Sequence, residues 1–414
     1  MKSENLNLIT IADLVKEGAI VEIQDGNHGE KHPKTSDYVD DGVPFIMANN
    51  IAGNRVDIDG AQKIPLVLAD SLRIGFAKTG DVLLTHKGTI GSTAIVDTTL
   101  PYLMLTPQVT YYRTNPEKLR NRYLMYAFRE ELFQKTIISL AQQATRPYIG
   151  ITAQRRLKIR WKPIDQQDRV VEILSAYDDL IENNRRRIQL LEQAARLLYK
   201  EWFVHLRFPG HEHTQIINGV PEGWEKGVVS DFYDTASGGT PSRKNPEFYG
   251  GTIRWVKTQE LEDGFLFDTE EHITENAIKK SAAKLFPANA VLIAMYGATI
   301  GQVGVIVESS TCNQACCAVM PKAEGTSYEH AFLFFLNNKE GLRNLGQGAA
   351  QKNISQQVIR AYEMVLPDKL VLNMFRINAG PFLRQIRTLH AMNQKLTKAR
   401  DILLPKLMNG EVAV

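Results

Sequence analysis

Two histidines four residues apart flank a carboxylate in the stretch IQDGNHGEKHPKTSDY, residues 23–38. His28, Glu30 and His32 are of the types that hold a divalent cation or move protons. Lys31, Lys34 and Thr35 suit the other use of such a loop, contact with phosphates and base edges. A second candidate is TCNQACCAVM, where Cys312, Cys316 and Cys317 cluster. A structural zinc takes about four ligands, and no second cluster supplies the rest. Buried free thiols in a reducing compartment are expected instead.

Other catalytic signatures are missing. There is no GxxxxGK(S/T) loop, no HExxH and no GxSxG in the chain, so nucleotide hydrolysis, zinc proteolysis and serine hydrolysis have no motif to rest on. The segments NPEF and TNPE lack the second proline and the aromatic of an NPPY-like methyltransferase motif, and no glycine-rich cofactor loop accompanies them. The chain is expected to catalyse nothing.

The elements that would position these residues come from a chain of 414 residues, 43% hydrophobic and 23% charged, which suits two or more folded domains. The start, MKSENLNLIT, lacks an apolar signal region, and no run approaches the roughly 18 apolar residues of a membrane span. A cytosolic location and no membrane partner are expected. The net charge of +3 identifies no partner by itself. Lysine and arginine do cluster in both halves, in LRNRY, QRRLKIR, NNRRRIQ, SRKNP and AIKKSAAK, and such clusters point to phosphate.

The chain is written twice. GVPFIMANNI (Gly42–Ile51) lines up with TIRWVKTQEL (Thr252–Leu261), and DVLLTHKGTIGSTAIV (Asp81–Val96) with AVLIAMYGATIGQVGVI (Ala290–Ile306), sharing the TIG triplet. Gln108 falls on Gln314, and the segment ending at Pro163 falls on the one ending at Pro367. Matches that keep one order along the chain indicate duplication. Each half reads as short strands punctuated by Gly, Pro, Asn and Asp, with a few helices. THKGTIG and MYGATIG read as tight connections after buried strands, their glycines permitting positive φ while presenting Lys87 and Tyr296.

Duplication tests the histidine loop. In this alignment HGEKHPKTSDY from His28 falls on GGTPSRKNPEF from Gly238, Gly29 meets Gly239, and neither histidine has a counterpart. A metal or acid–base site demanded by the architecture would stand in both copies. A loop whose backbone outline is inherited while its side chains differ suits a reading surface.

After each half the texture changes. Val170, Leu174, Tyr177, Ile181, Asn184, Ile188, Leu191, Ala195, Leu198 and Trp202 alternate spacings of four and three, a coiled-coil seam interrupted only by Asn184. The implied helix, from Pro163 to about Val204, is about 60 Å long at ~1.5 Å per residue and needs a partner. Phe375, Ala379, Phe382, Ile386, Leu389, Asn393, Leu396, Arg400, Leu403 and Leu407 repeat the spacing. Gly380 and Pro381 weaken the first turns and Pro405 is expected to end or bend the helix, so its regular part is placed at Phe382–Leu404.

The pieces PEGWEKGVVSDFYDTASGGTPSRKNPEFYGGTIRWVKTQEL, GATIG, NQA, ARLLYKEWFVHLRFPGHE and ARDILLPKLMNGEV give the chain a resemblance, over essentially its whole length, to the DNA specificity subunit of type I restriction-modification systems. DGNHGEKHP with DVLLTHKGTIG resembles one variety of target recognition domain. The resemblance implies an α+β fold: two duplicated, β-rich α/β target recognition domains separated by two long helices in an antiparallel coiled coil with approximate twofold symmetry. The boundaries are set at 1–163 for the first domain, 164–204 for the first spacer helix, 205–366 for the linker and second domain, and 367–414 for the second helix and tail.

The resemblance further implies double-stranded, bipartite DNA as ligand, one half-site per domain. The helices would set the unread spacer and dock two modification (methyltransferase) subunits, joined by restriction and translocase subunits. S-adenosylmethionine, ATP and magnesium would belong to those partners, with no cofactor or metal on this chain. The first domain lacks the PEGW entry of the second and begins LITIADLVKEGAIVEI.

The DNA-facing residues are placed on the matched loops. They are His28, Lys31, His32, Lys34, Thr35, Lys87, Thr89, Arg146 and Tyr148 in the first half. In the second they are Thr240, Ser242, Arg243, Lys244, Lys257, Tyr296, Thr299, Gln351 and Lys352. A protein-binding scaffold would fit the seam and the duplication equally. A metal-dependent nuclease would rest on His28, Glu30 and His32.

Overall fold

The structure is a computed structural model and describes residues 7–28, 31–142, 148–346 and 353–412. The chain divides into two compact units, residues 1–181 with 395–414 and residues 182–394. Each unit contains one β-rich domain and a stretch of both long helices.

In the first unit the entry strand Leu8–Thr10 pairs antiparallel with Lys158–Arg160. A short helix, Ile11–Lys16, follows at once, its first turn closed by the Thr10–Asp13 capping box. The main sheet orders Ile20–Asp25, Val109–Thr114, Val82–Thr85 and Thr93–Ile95, all antiparallel. Val82, Leu83 and Leu84 are all buried, so this strand reads as a continuous apolar run with a covered layer on both faces. One face packs on the helix Asn121–Arg129, whose Tyr123, Tyr126 and Phe128 are buried with Tyr112 in one core. The other carries Leu83, Tyr111 and the parallel pair Val43–Ile46 with Leu103–Leu105.

The second unit repeats this plan. Glu225–Val228 pairs antiparallel with Glu363–Leu366, the place held in the first unit by Leu8–Thr10 and Lys158–Arg160. Tyr233–Ser237, Cys316–Pro321, Val291–Ala294 and Val303–Ile306 follow in the same sheet order, with Gly264–Leu266 added at the edge. Tyr249–Val256 runs parallel to Thr311–Cys312, as Val43–Ile46 does to Leu103–Leu105. The first domain therefore opens on the same strand pair as the second without the PEGW segment. Cys312, Cys316 and Cys317 are free and buried, Cys312 on the strand Thr311–Cys312 and the other two on Cys316–Pro321; contact with Cys312 together with burial pushes the Cys316 thiol upward, and burial does the same to Cys317.

The hydrogen-bond register corrects the alignment by one or two residues. His86 N–H donates to the Gln108 carbonyl and Met295 N–H to the Ala315 carbonyl, so Gln108 is equivalent to Ala315 and not to Gln314. Gly26 N–H donates to Val109 and Gly238 N–H to Cys316, which makes Gly26, not Gly29, the glycine shared with the second half. Neither can carry a side chain: a Cβ would lie 1.9 Å from the Thr106 carbonyl oxygen at Gly26 and 2.2 Å from that of Cys312 at Gly238.

The first long helix is Ile164–Tyr199, continued by one wide π turn over Lys200–Val204. Val170, Leu174, Ile181, Asn184, Ile188, Ala195 and Trp202 are buried; Tyr177, Leu191 and Leu198 are half-buried, Tyr199 taking the inner place beside Leu198. The second helix is continuous over Lys369–Asn409, through both Pro381 and Pro405. This overturns the expected break. Proline removes the N–H that the carbonyl four residues back would accept, but here those carbonyls belong to Ile377 and Asp401 on exposed positions, which water can serve. Leu383, Leu404, Leu407 and Met408 beside the prolines are buried and hold the helix on course.

Ile386 and Leu389 are buried, while Phe382, Asn393, Leu396 and Leu403 are half-buried. In the second unit the Asn184 amide donates to Asn393 Oδ1 at 2.9 Å, and Trp202 meets Phe375 with ring centroids 5.6 Å apart. One number rises as the other falls, so these stretches run antiparallel. In the first unit Val170, Leu174, Leu404 and Leu407 share a core. The seam's buried Arg400 pairs there with Asp178 at 2.6 Å, and Asp178 also accepts from Tyr126 at 2.7 Å. Among the described residues no helix is long and apolar enough to cross a membrane.

Candidate nucleic-acid interface

The chosen residues of each half cluster where its central strands end. In the first unit the chain leaves Ile20–Asp25 at Gly26, leaves Val82–Thr85 at His86 and leaves Val43–Ile46 into the turn Ala48–Asn50. Ala48 N–H donates to Gln108 Oε1 at 3.1 Å, tying two of these loops together. An isolated antiparallel bridge joins Lys87 to Tyr148. The second unit has the same bridge between Tyr296 and Asn353 and the same turn at Thr258–Glu260. Each bridge thus presents one exposed tyrosine, Tyr148 at 45% and Tyr296 at 40%, contributed by opposite strands of the ladder. Gly88, Gly91, Gly297 and Gly301 all have positive φ in the connections beyond, as the two TIG segments lead one to expect.

The electrostatics of the two loops differ. Lys31, Lys34, Lys87 and Thr89 are exposed, as are Thr35, His28 and His32. Among the described residues no carboxylate lies within ion-pair distance of the three lysines. Their charges are open to an anionic ligand. His28 Nδ1 lies 3.0 Å from the Gly26 carbonyl, and the His32 ring packs against Phe45 at 5.7 Å. The two imidazoles are thus engaged separately, and among the described residues no group of three metal-capable side chains converges. Glu30 and Arg146 lie outside the described residues, as do Gln351 and Lys352.

In the second unit two of the chosen cations are already taken. Arg243 makes a bidentate pair with Glu271 at 2.6 and 3.0 Å while stacking over Tyr249 and Trp255 at 4.2 and 5.4 Å. Lys257 bonds Glu270 at 2.5 Å and Glu271 at 3.1 Å. The Arg243 bond, reinforced by Lys257, holds the Glu271 carboxyl down at about 2. Arg243 and Lys257 therefore brace the loop internally, with Tyr249 O–H donating to the Pro241 carbonyl at 2.6 Å and Trp255 Nε1–H to the Gly239 carbonyl at 2.9 Å. Thr240, Ser242 and Lys244 stay exposed on the braced loop, and Thr299 is half-buried, its hydroxyl donating to the Tyr296 carbonyl. Glu270 and Glu271 lie in DTEEHI, which no spacing rule links to SRKNP; only the folded sheet brings them together.

A polar chain that no motif in the sequence signals lies beneath the first loop. Tyr112 O–H donates to Gln154, Gln154 to Thr110 Oγ1 at 2.9 Å, and Thr110 to Asp25 Oδ1 at 2.5 Å. The chain ends at His86, whose Nε2 lies 3.6 Å from the same Asp25 oxygen.

Residues 14–193 and 221–370 match the family described as "Type I restriction modification DNA specificity domain". The chain is 24% identical over 395 residues to the type I restriction enzyme MjaIX specificity subunit of Methanocaldococcus jannaschii, covering 92% of this chain and 89% of that one. It is 24% identical over 442 residues to the HindI specificity subunit of Haemophilus influenzae, covering 89% and 94%. Its fold is similar to the crystal structure of a type I restriction-modification S subunit from M. genitalium, with a TM-score of 0.57 at 14% identity over 98% of this chain and 97% of that one.

Proposed function

We infer, for a chain that belongs to the type I restriction modification DNA specificity family, that each of its two units reads one half of a bipartite DNA site through the loops at the strand ends. As a specificity subunit the chain recognises DNA, assembles with partner subunits and is itself non-catalytic. The observation that carries the half-site assignment is the matched pair of loop clusters: the bridges Lys87–Tyr148 and Tyr296–Asn353 hold equivalent places beside the main sheets of the two units while their side chains differ. Lysines that meet no carboxylate among the described residues supply phosphate contacts that fix register, and the hydroxyls, imidazoles and tyrosines address the bases.

The long helices set the unread spacer and dock two modification subunits, to which restriction and translocase subunits attach. S-adenosylmethionine, ATP and magnesium act in those partners. Titration of the complex against duplexes with one half-site scrambled tests the reading. Affinity should fall steeply with salt as phosphates release counterions, and scrambling either half should weaken binding to a similar extent. A protein-binding scaffold would show neither effect.

A further inference from the structure

The second unit fills the place of the polar chain beneath the first loop differently: Gln356 Oε1 accepts from Ser237 Oγ at 2.8 Å and Gln356 Nε2 donates to the Thr235 carbonyl at 2.9 Å, with no histidine and no carboxylate in the set. By the shared register, the equivalents of Asp25, His86, Thr110, Tyr112 and Gln154 are Ser237, Met295, Cys317, Val319 and Ile359. The fold is thus built once in the same chain without a buried histidine beside a carboxylate. A buried imidazole whose nitrogens are unsatisfied among the described residues, and which the architecture does not require, is costly to keep.

Both ends of the network grip the ladder that presents Lys87 and Tyr148. Gln154 donates to the Ile149 carbonyl at 2.8 Å, and Ile149 N–H donates to the His86 carbonyl at 3.2 Å. The His86 ring is fully buried and lies 5.3 Å from the Tyr148 ring. Among the described residues neither ring nitrogen has a hydrogen-bond partner. The buried His330 of the second unit differs, since its Nδ1 meets Tyr233 O–H at 2.9 Å. An imidazole 3.6 Å from a carboxylate is within reach of a charge-assisted bond, which closes at about 2.8 Å.

The groups facing the ring set its protonation. Burial keeps it neutral, Asp25, two strands away across Val109–Thr114, and the Val109 backbone favour the imidazolium, and Lys87 and His28 oppose it. Tyr148 is neutral, and burial raises its phenol. A phosphate on Lys87 would cancel the Lys87 repulsion and tip the balance toward the charged ring.

We propose that His86 and Asp25 are positioning residues of the first half-site interface: contact of a DNA phosphate with Lys87 drives a proton from solvent onto His86, which closes on Asp25 and tightens the Lys87–Tyr148 ladder. This rests on the reading that the loop face meets DNA. The second unit, with Met295 and Ser237 at these places, binds without it.

The test uses the chain in complex with its modification subunits and compares wild type with His86→Met, the residue the second unit carries there, and with Asp25→Asn. Proton uptake on binding the target duplex is measured calorimetrically in buffers of different ionisation enthalpy. Wild type should take up more than His86→Met, by a difference approaching about one proton, and only on duplexes that keep the first half-site. Its affinity for that half-site should rise as pH falls toward the imidazole range, and His86→Met should lose that share of the pH slope and bind several-fold more weakly. Equal uptake and equal slope in the two proteins overturn the proposal.

Should both variants fail to fold, uptake is read in the otherwise native chain carrying His28→Gln and His32→Gln. No excess for the first half-site there also overturns it. Loss of salt-dependent binding in wild type would instead overturn the DNA-facing reading itself, so the two failures are distinguishable.

Discussion

Single residues divide into those left open to a ligand and those engaged within the fold. Lys87, exposed and without a carboxylate partner among the described residues, belongs to the first kind. Lys87→Ala should weaken first half-site binding and reduce the slope of log affinity against log salt by about 0.9, leaving the second half-site unchanged; an unaltered slope would show that the lysine touches no phosphate. Arg243 and Lys257 belong to the second kind, locked on Glu271. Because the Glu271 carboxyl falls from 4.5 in the unfolded chain to about 2 in the fold, its contribution to stability is complete above 4.5 and disappears as pH drops from there toward 2. Glu271→Gln should remove that part of the acid sensitivity, seen as a flatter dependence of Tm on pH in this window. The histidine loop was legible as a polar surface because its repeat has no histidines. The ion pairs of Arg243 were not, since Arg243 and Glu271 meet only through the strand Tyr249–Val256 and its neighbour.

At the scale of elements, periodicity was the dependable signal. The seam positions from Val170 to Trp202 are buried or half-buried as their spacing requires, and the two polar residues Asn184 and Asn393 meet each other. Local rules failed at the prolines, where packing of Leu383, Leu404 and Leu407 outweighs the lost hydrogen bonds. Pro381→Ala should therefore raise Tm, because an interior proline costs a helix up to about 3 kcal/mol; no change would mean that the turn is strained for another reason. The buried Arg400–Asp178 pair works in the opposite sense. Removing only the carboxylate leaves a buried cation with Asp401 as its remaining partner, and Asp178→Ala should destabilise the first unit by about 3 kcal/mol in denaturant unfolding.

For the whole molecule the duplication is what made function legible, and it was readable in the TIG segments and the parallel endings at Pro163 and Pro367. Its register was legible only to within a few residues, because strand pairing and not side-chain identity sets Gly26 opposite Gly238. Two units with one plan and different loops should be separable in function. Lengthening the helices by one or two turns after Leu191 should lengthen the unread spacer and leave both half-sites intact. The most direct measurement is the sequence of methylated sites made by this chain with its modification partners, before and after residues 28–35 are exchanged for an unrelated recognition loop. One half-site should change while the other half-site and the spacer do not. An unchanged target, or a change in both half-sites, would contradict the half-site assignment.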